Sequence, residues 1–199
     1  MKILLATNNR HKLREFSDMF APAHILFPQD EGTDFFHEET GFTFHENALG
    51  KALTLYRLTG SPVLADDSGL VIPALDGEPG IFSARYGGEH LETPERNAYL
   101  LEQMKGIDSR EAFFVCSLVL LIDEYRFISV QETVEGEIIQ KMQGTGGFGY
   151  DPLFYLPQMN CTMAELTDVQ KHQISHRGRA ARRIRTCMND LLTKENQDL

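Results

Sequence analysis

The sequence predicts an α/β fold built around a mixed β-sheet. Short apolar runs alternate with amphipathic helical segments in the first half of the chain, which is typical of parallel strands joined by helices. Farther along, the segments "AFFVCSLVLLID" and "YRFISVQETVEGEI" flank Asp123 and Glu124 and predict a long antiparallel hairpin. Crossover helices followed by a hairpin require strands of both orientations, so the sheet is expected to be mixed.

The N-terminal part supplies two strands and two helices. Residues Ile3 to Ala6 form an apolar run suited to a buried strand, and the spacing of apolar residues in "KLREFSDMF" predicts a helix after it. Thr43 and Glu46 have the spacing of a capping box, which predicts a second helix over residues 44–59. The segment "SPVLADDSGL" then returns to a strand.

The rest of the chain adds two helices to the hairpin. Thr93 followed by Pro94 predicts the start of a helix, and Gly106 predicts its end. From Ser175 onward, apolar residues repeat at helical spacing. We therefore expect a final amphipathic helix whose tail, "TKENQDL", frays.

A glycine-rich segment, "GTGGFGYDPLFYLP", contains the spacing G-x-G-x-x-G that can mark a dinucleotide-binding loop. That motif works only where the glycines lead into a helix whose N-terminus faces the phosphates. Pro152 and Pro157 follow here, and proline restricts the residue before it to extended geometry. Residues Tyr150 to Leu156 should therefore form a loop or strand, which excludes a Rossmann site.

Composition and charge narrow the class of protein. The 199 residues suit one domain, and the formal net charge of -10 disfavours binding to nucleic acid or to an anionic membrane. The longest apolar run, "VCSLVLLI", is too short to span a bilayer, and "MKILLAT" is too short for a signal peptide. Cys116, Cys161 and Cys187 form no C-x-x-C pair, so neither a disulfide framework nor a zinc site is indicated. We expect a soluble, cytoplasmic protein.

Carboxylates lie beside regular elements at two places. Asp66 and Asp67 follow an apolar strand run, and Glu38 and Glu39 precede the capped helix. Carboxylates without histidine or cysteine partners suit Mg²⁺, which prefers oxygen ligands. Because consecutive strand side chains point in opposite directions, the two aspartates are expected to have different roles. A solvated turn is the alternative interpretation of the Asp-Asp-Ser-Gly segment.

Two basic segments could bind an anion. In "TNNRHK" the first strand gives way to the first helix, where helix amides and Lys12 favour phosphate, with an ordinary polar turn as the alternative. In "KHQISHRGRAARRIR", Lys171, His176 and Arg177 favour an anion, whereas the later arginines are expected to form a solvated face. The absence of H-E-x-x-H and G-x-S-x-G motifs argues against zinc and serine hydrolases.

Five segments occur in the order found in one known family: "TNNRHKLREF", "EETGFTFHENALGKA", "LADDSGLVIPALDGEPGIFSARYGG", "GTGGFGYDPLFYLP" and "AELTDVQKHQISHRGRA". Together they closely resemble the inosine triphosphate pyrophosphatase family, which hydrolyses noncanonical purine nucleoside triphosphates such as ITP, dITP and XTP. The resemblance implies an elongated α/β fold with two lobes around a central nucleotide-binding cleft, in a single domain over residues 1–199. It also implies a homodimer, a requirement for Mg²⁺ that Mn²⁺ could meet instead, and cleavage to the nucleoside monophosphate and pyrophosphate.

The resemblance further implies roles for individual residues. Glu39 and Asp67 match the metal-binding acids, and Asp67 also matches the residue regarded as the proton acceptor for the attacking water. Asp66 completes the site beside it, and Lys12 matches the principal charge on the triphosphate. The substrate-binding positions implied are Thr7, Asn8, Asn9, Arg10, His11, Lys12, Ser68, Phe148, Gly149, Tyr150, Asp151, Lys171, His176 and Arg177.

The same comparison gives the glycine-rich segment a function as a purine-binding loop. Phe148 and Tyr150 offer ring faces for stacking on the base, and Asp151 contributes polar readout. A donor such as Arg177 would favour the 6-oxo group of hypoxanthine or xanthine over the amino group of adenine.

Two other functions remain open. One is a pyrophosphatase acting on modified pyrimidine triphosphates, which the "GGFGYDP" and "SHRG" segments argue against. The other is a nucleotide sensor without catalytic activity, which the presence of both Glu39 and Asp67 argues against.

Overall fold

The computed structural model describes residues 2–195, with side chains as far as residue 189. Within these residues it contains a single mixed β-sheet and five α-helices, so the predicted α/β fold is confirmed. The strands are β1 (Lys2–Leu5), β2 (His24–Leu26), β3 (Val63–Val71), β4 (Glu111–Leu121), β5 (Phe127–Ile138), β6 (Phe154–Leu156) and β7 (Cys161–Thr162). The helices are α1 (Arg10–Phe20), α2 (Phe44–Thr59), α3 (Thr93–Gln103), α4 (Asp168–Ile174) and α5 (His176–Glu195).

The sheet has the strand order β2-β1-β3-β4-β5-β6-β7. Strand β1 is parallel to both of its neighbours, with Leu4 opposite Leu26 and Leu5 opposite Leu64. At the other end, β5, β6 and β7 pair antiparallel. The predicted hairpin is formed by β4 and β5, and its first arm is almost wholly buried while its second alternates in exposure.

The start of α2 shows how a local sequence signal produces an element. The backbone N–H of Glu46 donates to Thr43 Oγ1 at 3.1 Å, and the N–H of Thr43 donates to Glu46 Oε2 at 3.2 Å. These two bonds form the predicted capping box and satisfy amides that a helix start leaves without partners. The helix ends at Gly60, whose φ of 63° is in the left-handed region that favours glycine.

Three short elements, β2, β7 and α4, were not predicted, whereas the segment that contains β6 was predicted to be a loop or strand. Strands β2, β6 and β7 have only two or three residues, too few for a periodic pattern. Helix α4 begins with a Thr167 and Gln170 capping box that the sequence does display. Helix α5 continues through Glu195, and the remainder of the tail that was expected to fray lies outside the described residues.

The chain divides into two compact units. The first comprises Met1–Asp67, Cys116–Glu132 and Arg177–Leu199, and the second comprises Ser68–Val115 and Thr133–His176. Whether both count as lobes of a single domain stays a prediction. Over the described part of the chain, no helix combines the length and the apolar character needed to cross a membrane.

The first unit packs helices on both faces of its strands. Side chains on one face of the strands, such as those of Ile3 and Leu64, pack with α1 and α5 in one apolar cluster. Side chains on the opposite face, such as those of Leu4 and Ala65, pack with α2 in a second cluster. This alternation is the two-residue period of a β-strand, and it determines which helix each side chain of β3 meets.

The second unit has its own core. Its apolar cluster includes Leu70, Leu100, Phe114, Val134 and Phe154, drawn from four strands and α3. The rings of Phe114 and Phe154 lie 4.4 Å apart between centroids. Each unit therefore buries enough apolar surface to hold polar side chains in defined positions.

Candidate active site

Strand β3 carries Asp66 and Asp67 in the first unit, and the strand period sends them to opposite faces. Asp66 is two residues after Leu64, so its side chain points to the same face of β3, toward the cluster formed with α1 and α5. Asp67 is two residues after Ala65, so its side chain points to the opposite face, toward α2. The two aspartates therefore have different surroundings, and the expectation that they have different roles stays a prediction.

Asp66 is a fully buried anion between two cations. Its Oδ1 lies 3.0 Å from Lys12 Nζ, and its Oδ2 accepts a hydrogen bond of 3.3 Å from Arg177 Nε. The Arg177 guanidinium also contacts Glu15, at 3.4 Å from Nη1 to Oε2. Burial alone would raise the pKa of the Asp66 carboxyl, but the charges of Lys12 and Arg177 outweigh it and hold the pKa well below its ordinary value.

Asp67 belongs to a different polar cluster, which it forms with side chains of α2. Its Oδ2 accepts a hydrogen bond of 3.2 Å from Asn47 Nδ2, and its Oδ1 accepts one of 3.2 Å from Lys51 Nζ. Burial raises the pKa of the Asp67 carboxyl; Lys51 opposes this rise and the nearby Glu39 adds to it. Its proton affinity is therefore higher than that of an ordinary aspartate.

Glu39 joins this second cluster from the irregular segment before α2. Lys51 Nζ donates to Glu39 Oε1 at 2.5 Å, so a single ammonium group contacts both Glu39 and Asp67. Burial by itself would lower the pKa of Lys51, but the carboxylates of Asp67, Asp66 and Glu39 raise it, so the lysine is positively charged.

The Glu39 and Asp67 carboxylates fit a magnesium site. Both present oxygen atoms to one common cation, and Mg²⁺ prefers oxygen donors, commonly one or two carboxylates with water and substrate phosphates. Among the residues described here, no group of three or more histidine, cysteine or acidic side chains could hold a metal by itself. A metal at this place would therefore share its ligands between protein, water and phosphate.

The loop before α1 is shaped by its own polar residues. Asn9 is the N-cap of α1, and its Oδ1 accepts hydrogen bonds from the backbone N–H of His11 at 2.9 Å and of Lys12 at 3.4 Å. Thr7 Oγ1 accepts one from the Asn9 N–H at 3.2 Å. The exposed Asn8 donates from Nδ2 to the Phe35 carbonyl at 3.4 Å. Thr7 and Asn9 thus have a structural role that sequence reasoning did not assign.

Arg10 and His11, which were also expected to bind substrate, are the first two residues of α1. Arg10 lies over the ring of Phe27, with 5.9 Å between its guanidinium carbon and the ring centroid. His11 is exposed at the start of α1. Lys12, the next residue of the helix, contacts the Asp66 carboxylate.

In the second unit, Asp151 organises the glycine-rich loop. Its Oδ2 accepts hydrogen bonds from Lys171 Nζ and from the Phe148 N–H, both at 2.8 Å. Lys171 Nζ also lies 4.9 Å from the centroid of the Phe148 ring. Asp151, Phe148 and Lys171, which the family resemblance grouped, are therefore in mutual contact.

Close packing explains Gly147 in this loop, whereas Gly149 has open space beside its Cα and a φ of 62° in the left-handed region. Gly147 has a φ of 69°, and a Cβ there would lie 2.1 Å from Asp151 Oδ2. The carbonyl of Gly149 accepts a hydrogen bond of 3.1 Å from Asn97 Nδ2 of α3. As predicted, no helix follows the glycines; turns lead from them into β6.

Tyr150 corrects one expectation. Its ring is buried in the apolar cluster of the second unit, and its hydroxyl donates to the Ser83 carbonyl at 2.8 Å. Burial raises the pKa of this hydroxyl well above its ordinary value. Tyr150 anchors the loop from below, so it does not offer an exposed face for stacking, whereas Phe148 is half-exposed.

His176 and Ser68 are the remaining expected positions. His176 is buried in the second unit and stacks on Phe114, with 4.9 Å between ring centroids and 18° between planes. Ser68 is half-buried in β3, directly after Asp67.

Sequence reasoning missed Asn47, Lys51 and Glu15. Lys51 lies on the face of α2 that also carries Ala48, Ala52 and Leu55, and all four are buried. A lysine within an apolar helical stripe is rarely buried without a partner. That signal was available in "ENALGKA" and could have identified Lys51.

Known proteins are similar to this chain in both sequence and fold. The sequence model of the Ham1 family matches residues 3–187. The dITP/XTP pyrophosphatase of Treponema denticola is 51% identical over 183 residues, which cover 90% of this chain and 94% of that protein. A protein of the same name from Thermus thermophilus is 45% identical over 193 residues, covering 96% of this chain and 93% of that one. The solved structure of a HAM1 protein from Coxiella burnetii matches with a TM-score of 0.87 and 38% identity, covering 96% of this chain and 99% of that chain.

This chain belongs to the Ham1 family. The resemblance to a family of nucleoside triphosphate pyrophosphatases, predicted from five sequence segments, is confirmed.

Proposed function

We propose that this protein hydrolyses the noncanonical purine nucleoside triphosphates ITP, dITP and XTP to the nucleoside monophosphate and pyrophosphate. The names of its relatives support this activity. The observation that carries it in this chain is the contact of Glu39 and Asp67 with one buried lysine, Lys51, which gathers two carboxylates and one cation.

Asp67 is the group that accepts the proton of the attacking water. Water attacks the α-phosphorus, the bond from that phosphorus to the bridging oxygen of the β-phosphate breaks, and pyrophosphate leaves. The raised pKa of Asp67 makes it a stronger base than an ordinary aspartate. Glu39 and Asp67 would hold Mg²⁺, which would neutralise charge on the phosphate oxygens.

Lys12 of the first unit binds the triphosphate, and Lys51 has a separate role. Lys12 contributes a charge beside Asp66, and Lys51 holds Glu39 and Asp67 together despite their like charges. Lys12 and Arg177 hold the pKa of the Asp66 carboxyl below its ordinary value. Asp66 is therefore an anion, and it keeps both cations in place. Thr7, Asn8 and Asn9 shape the adjoining loop, and Arg10 and His11 flank it.

Residues of the second unit recognise the purine. The half-exposed Phe148 ring provides a stacking face, and stacking of a base on an aromatic ring contributes about 1–3 kcal/mol. Asp151 and Lys171 hold the loop and present polar atoms beside that ring. His176 and Ser68 complete the substrate-binding set.

The cofactor, assembly and location follow as parts of the same proposal. Mg²⁺ is the metal, with Mn²⁺ as a substitute, because the candidate ligands are carboxylate oxygens. The protein acts as a homodimer on free nucleotides in the cytoplasm. The net charge of -10 supports free nucleotides over nucleic acid or membrane surfaces.

The test is to incubate the purified protein with Mg²⁺ and, separately, ITP, dITP, XTP, ATP, GTP and dTTP, and to follow the products by phosphorus NMR. Pyrophosphate from the first three is the expected result. Orthophosphate would contradict attack at the α-phosphorus. Cleavage of pyrimidine triphosphates alone would contradict purine specificity, and binding without cleavage would identify a sensor.

A further inference from the structure

The segment that carries Glu39 has no regular structure of its own. Residues 33–41 form neither helix nor strand, yet Glu39 must lie within hydrogen-bond distance of Lys51. At one end of the segment, Phe35 is buried and its carbonyl accepts from Asn8. At the other, the N–H of Gly41 donates to Asn47 Oδ1 at 2.8 Å. A contact between these two ends is needed to determine where the backbone of Glu39 lies.

His37 makes such a contact, two residues before Glu39. A hydrogen bond of 2.8 Å joins His37 Nδ1 and Thr54 Oγ1 on α2. The far side of the imidazole rests on the same helix at Gly50, where an ideal Cβ would lie 2.8 Å from His37 Nε2 and 3.0 Å from His37 Cε1. Any residue larger than glycine at position 50 would therefore collide with the ring.

The choice of glycine at position 50 follows from space rather than from backbone conformation. Gly50 lies in the middle of α2, and it is not among the glycines with positive φ. Glycine in a helix interior is less favourable than any residue except proline, so its helical propensity gives no reason for its presence. The close contact with the His37 imidazole explains why position 50 is glycine.

One stripe of α2 thus positions both the acids and the segment that carries one of them. Asn47, Lys51 and Thr54 recur at helical spacing on this stripe, with Gly50 beside them. Asn47 and Lys51 bind Asp67, Lys51 binds Glu39, and Gly50 with Thr54 receive His37.

We propose that His37 is a positioning residue for the metal-binding acids: seated on Gly50 and hydrogen-bonded to Thr54, its imidazole holds the backbone that places the Glu39 carboxylate opposite Asp67. The inference rests on the proposed metal role of Glu39. Residues that orient metal ligands typically change metal affinity by about 10- to 100-fold when they are replaced.

The central experiment measures Mn²⁺ binding to the protein without nucleotide, by titration followed through the electron paramagnetic resonance signal of the free ion. Gly50→Ala should weaken Mn²⁺ binding about 10-fold, because the new methyl group displaces the imidazole. The Mg²⁺ concentration for half-maximal turnover should rise by a similar factor. Thermal unfolding is recorded in parallel, since a purely structural role of Gly50 would change only that measurement.

A second variant separates the ring from the helix. Asparagine at position 37 retains a polar atom at the place of Nδ1, but it is too short to reach over Gly50. His37→Asn combined with Gly50→Ala should therefore bind Mn²⁺ more tightly than Gly50→Ala alone. If the double variant is as weak as Gly50→Ala, the defect arises from the helix and the inference is wrong.

Two threonines of α2 form a matched control pair. Thr54→Val removes the hydroxyl that bonds His37 and should weaken Mn²⁺ binding in the same direction as Gly50→Ala. Thr59→Val removes a hydroxyl that donates to the Leu55 carbonyl at 2.9 Å, without contact to the segment, and should bind Mn²⁺ as the unaltered protein does. Equal effects of the two changes would contradict the proposal.

Glu39→Gln distinguishes this inference from the proposed function. If Glu39→Gln weakens Mn²⁺ binding and Gly50→Ala does not, only the positioning role of His37 fails. If Glu39→Gln binds Mn²⁺ normally, the metal role of Glu39 fails, and the positioning role fails with it.

Discussion

Asp66 and Asp67 are adjacent in β3, yet their environments differ in almost every respect. Asp66 lies between Lys12 and Arg177, and these cations hold its pKa below the ordinary value. Asp67 shares Lys51 with a second carboxylate, and burial raises its pKa. One peptide unit separates a carboxylate that favours folding in its ionised form from one whose ionisation burial opposes.

The difference shows how a buried charge serves structure in one place and chemistry in another. A carboxylate with two cationic partners compensates its own desolvation and holds the partners in position. A carboxylate with a shared partner and a raised pKa keeps affinity for a proton or a metal ion. The same substitution at the two positions should therefore damage different properties.

The largest effect is expected on turnover in Asp67→Asn. The change keeps the shape of the side chain but removes the charge that a metal ion and the attacking water require, so turnover should fall about 10⁴-fold, or about 5.5 kcal/mol. Because burial already disfavours the charge, the unfolding temperature should change little. Steady-state kinetics and calorimetry on one preparation measure both. A fully active Asp67→Asn would overturn its assignment as the base.

Next in size is the loss of stability in Asp66→Asn, the matched substitution one residue away. It leaves Lys12 and Arg177 beside a neutral amide, and breaking a buried ion pair from one side costs about 3–5 kcal/mol. Urea unfolding monitored by circular dichroism measures this loss. A free energy of unfolding within 1 kcal/mol of the unaltered protein, in about the range of an ordinary surface change, would show that the Asp66 cluster is not structural.

A smaller effect is expected for Lys12→Ala, which tests both properties at once. Asp66 retains Arg177, so the loss of stability should be about 1–3 kcal/mol. Removal of a triphosphate contact should raise KM for ITP about tenfold. Lys105→Ala is a suitable control because Lys105 is exposed and pairs only with Glu102 among the contacts of the described residues. An unchanged KM in Lys12→Ala would count against the phosphate role.

The smallest effect is the pH dependence of stability that Asp66 contributes. Its folded pKa is depressed, so its stabilisation is present above the unfolded value of about 3.9 and is lost as pH falls through the lower folded value. Asp67 has the opposite sign, because its raised folded pKa makes protonation favour the folded state. Urea unfolding should be measured from about pH 3 to about pH 7, in steps of about half a pH unit. The free energy of unfolding should fall more steeply toward acid pH in Asp67→Asn than in Asp66→Asn.

Elements with a local signal were predictable. The Thr43 and Glu46 capping box predicted α2 with its observed start, and Pro152 with Pro157 correctly excluded a helix after the glycines. The same box at Thr167 was present but went unused, which explains the missed α4. Strands of two or three residues such as β7 carry no period, and only pairing with a neighbour defines them.

Positions of the site residues were less accessible than their identity. Resemblance to a family named Glu39 and Asp67, but Lys51, which contacts both, was visible only as a lysine in an apolar stripe. Tyr150 was expected to offer a ring face to the base because the glycine-rich segment resembles the purine-binding loop of the family. Its burial depends on the Ser83 carbonyl, 67 residues earlier in the chain.

By itself, the sequence determined the mixed α/β class, the amphipathic helices, the opposite directions of Asp66 and Asp67, and the family, because each depends on local period or on recognisable segments. Only the tertiary structure decided which cations each aspartate meets, which rings are buried, and why Gly50 must be glycine. These are contacts between residues far apart in the chain, and their distances follow from how helices pack on the sheet, which no local pattern encodes.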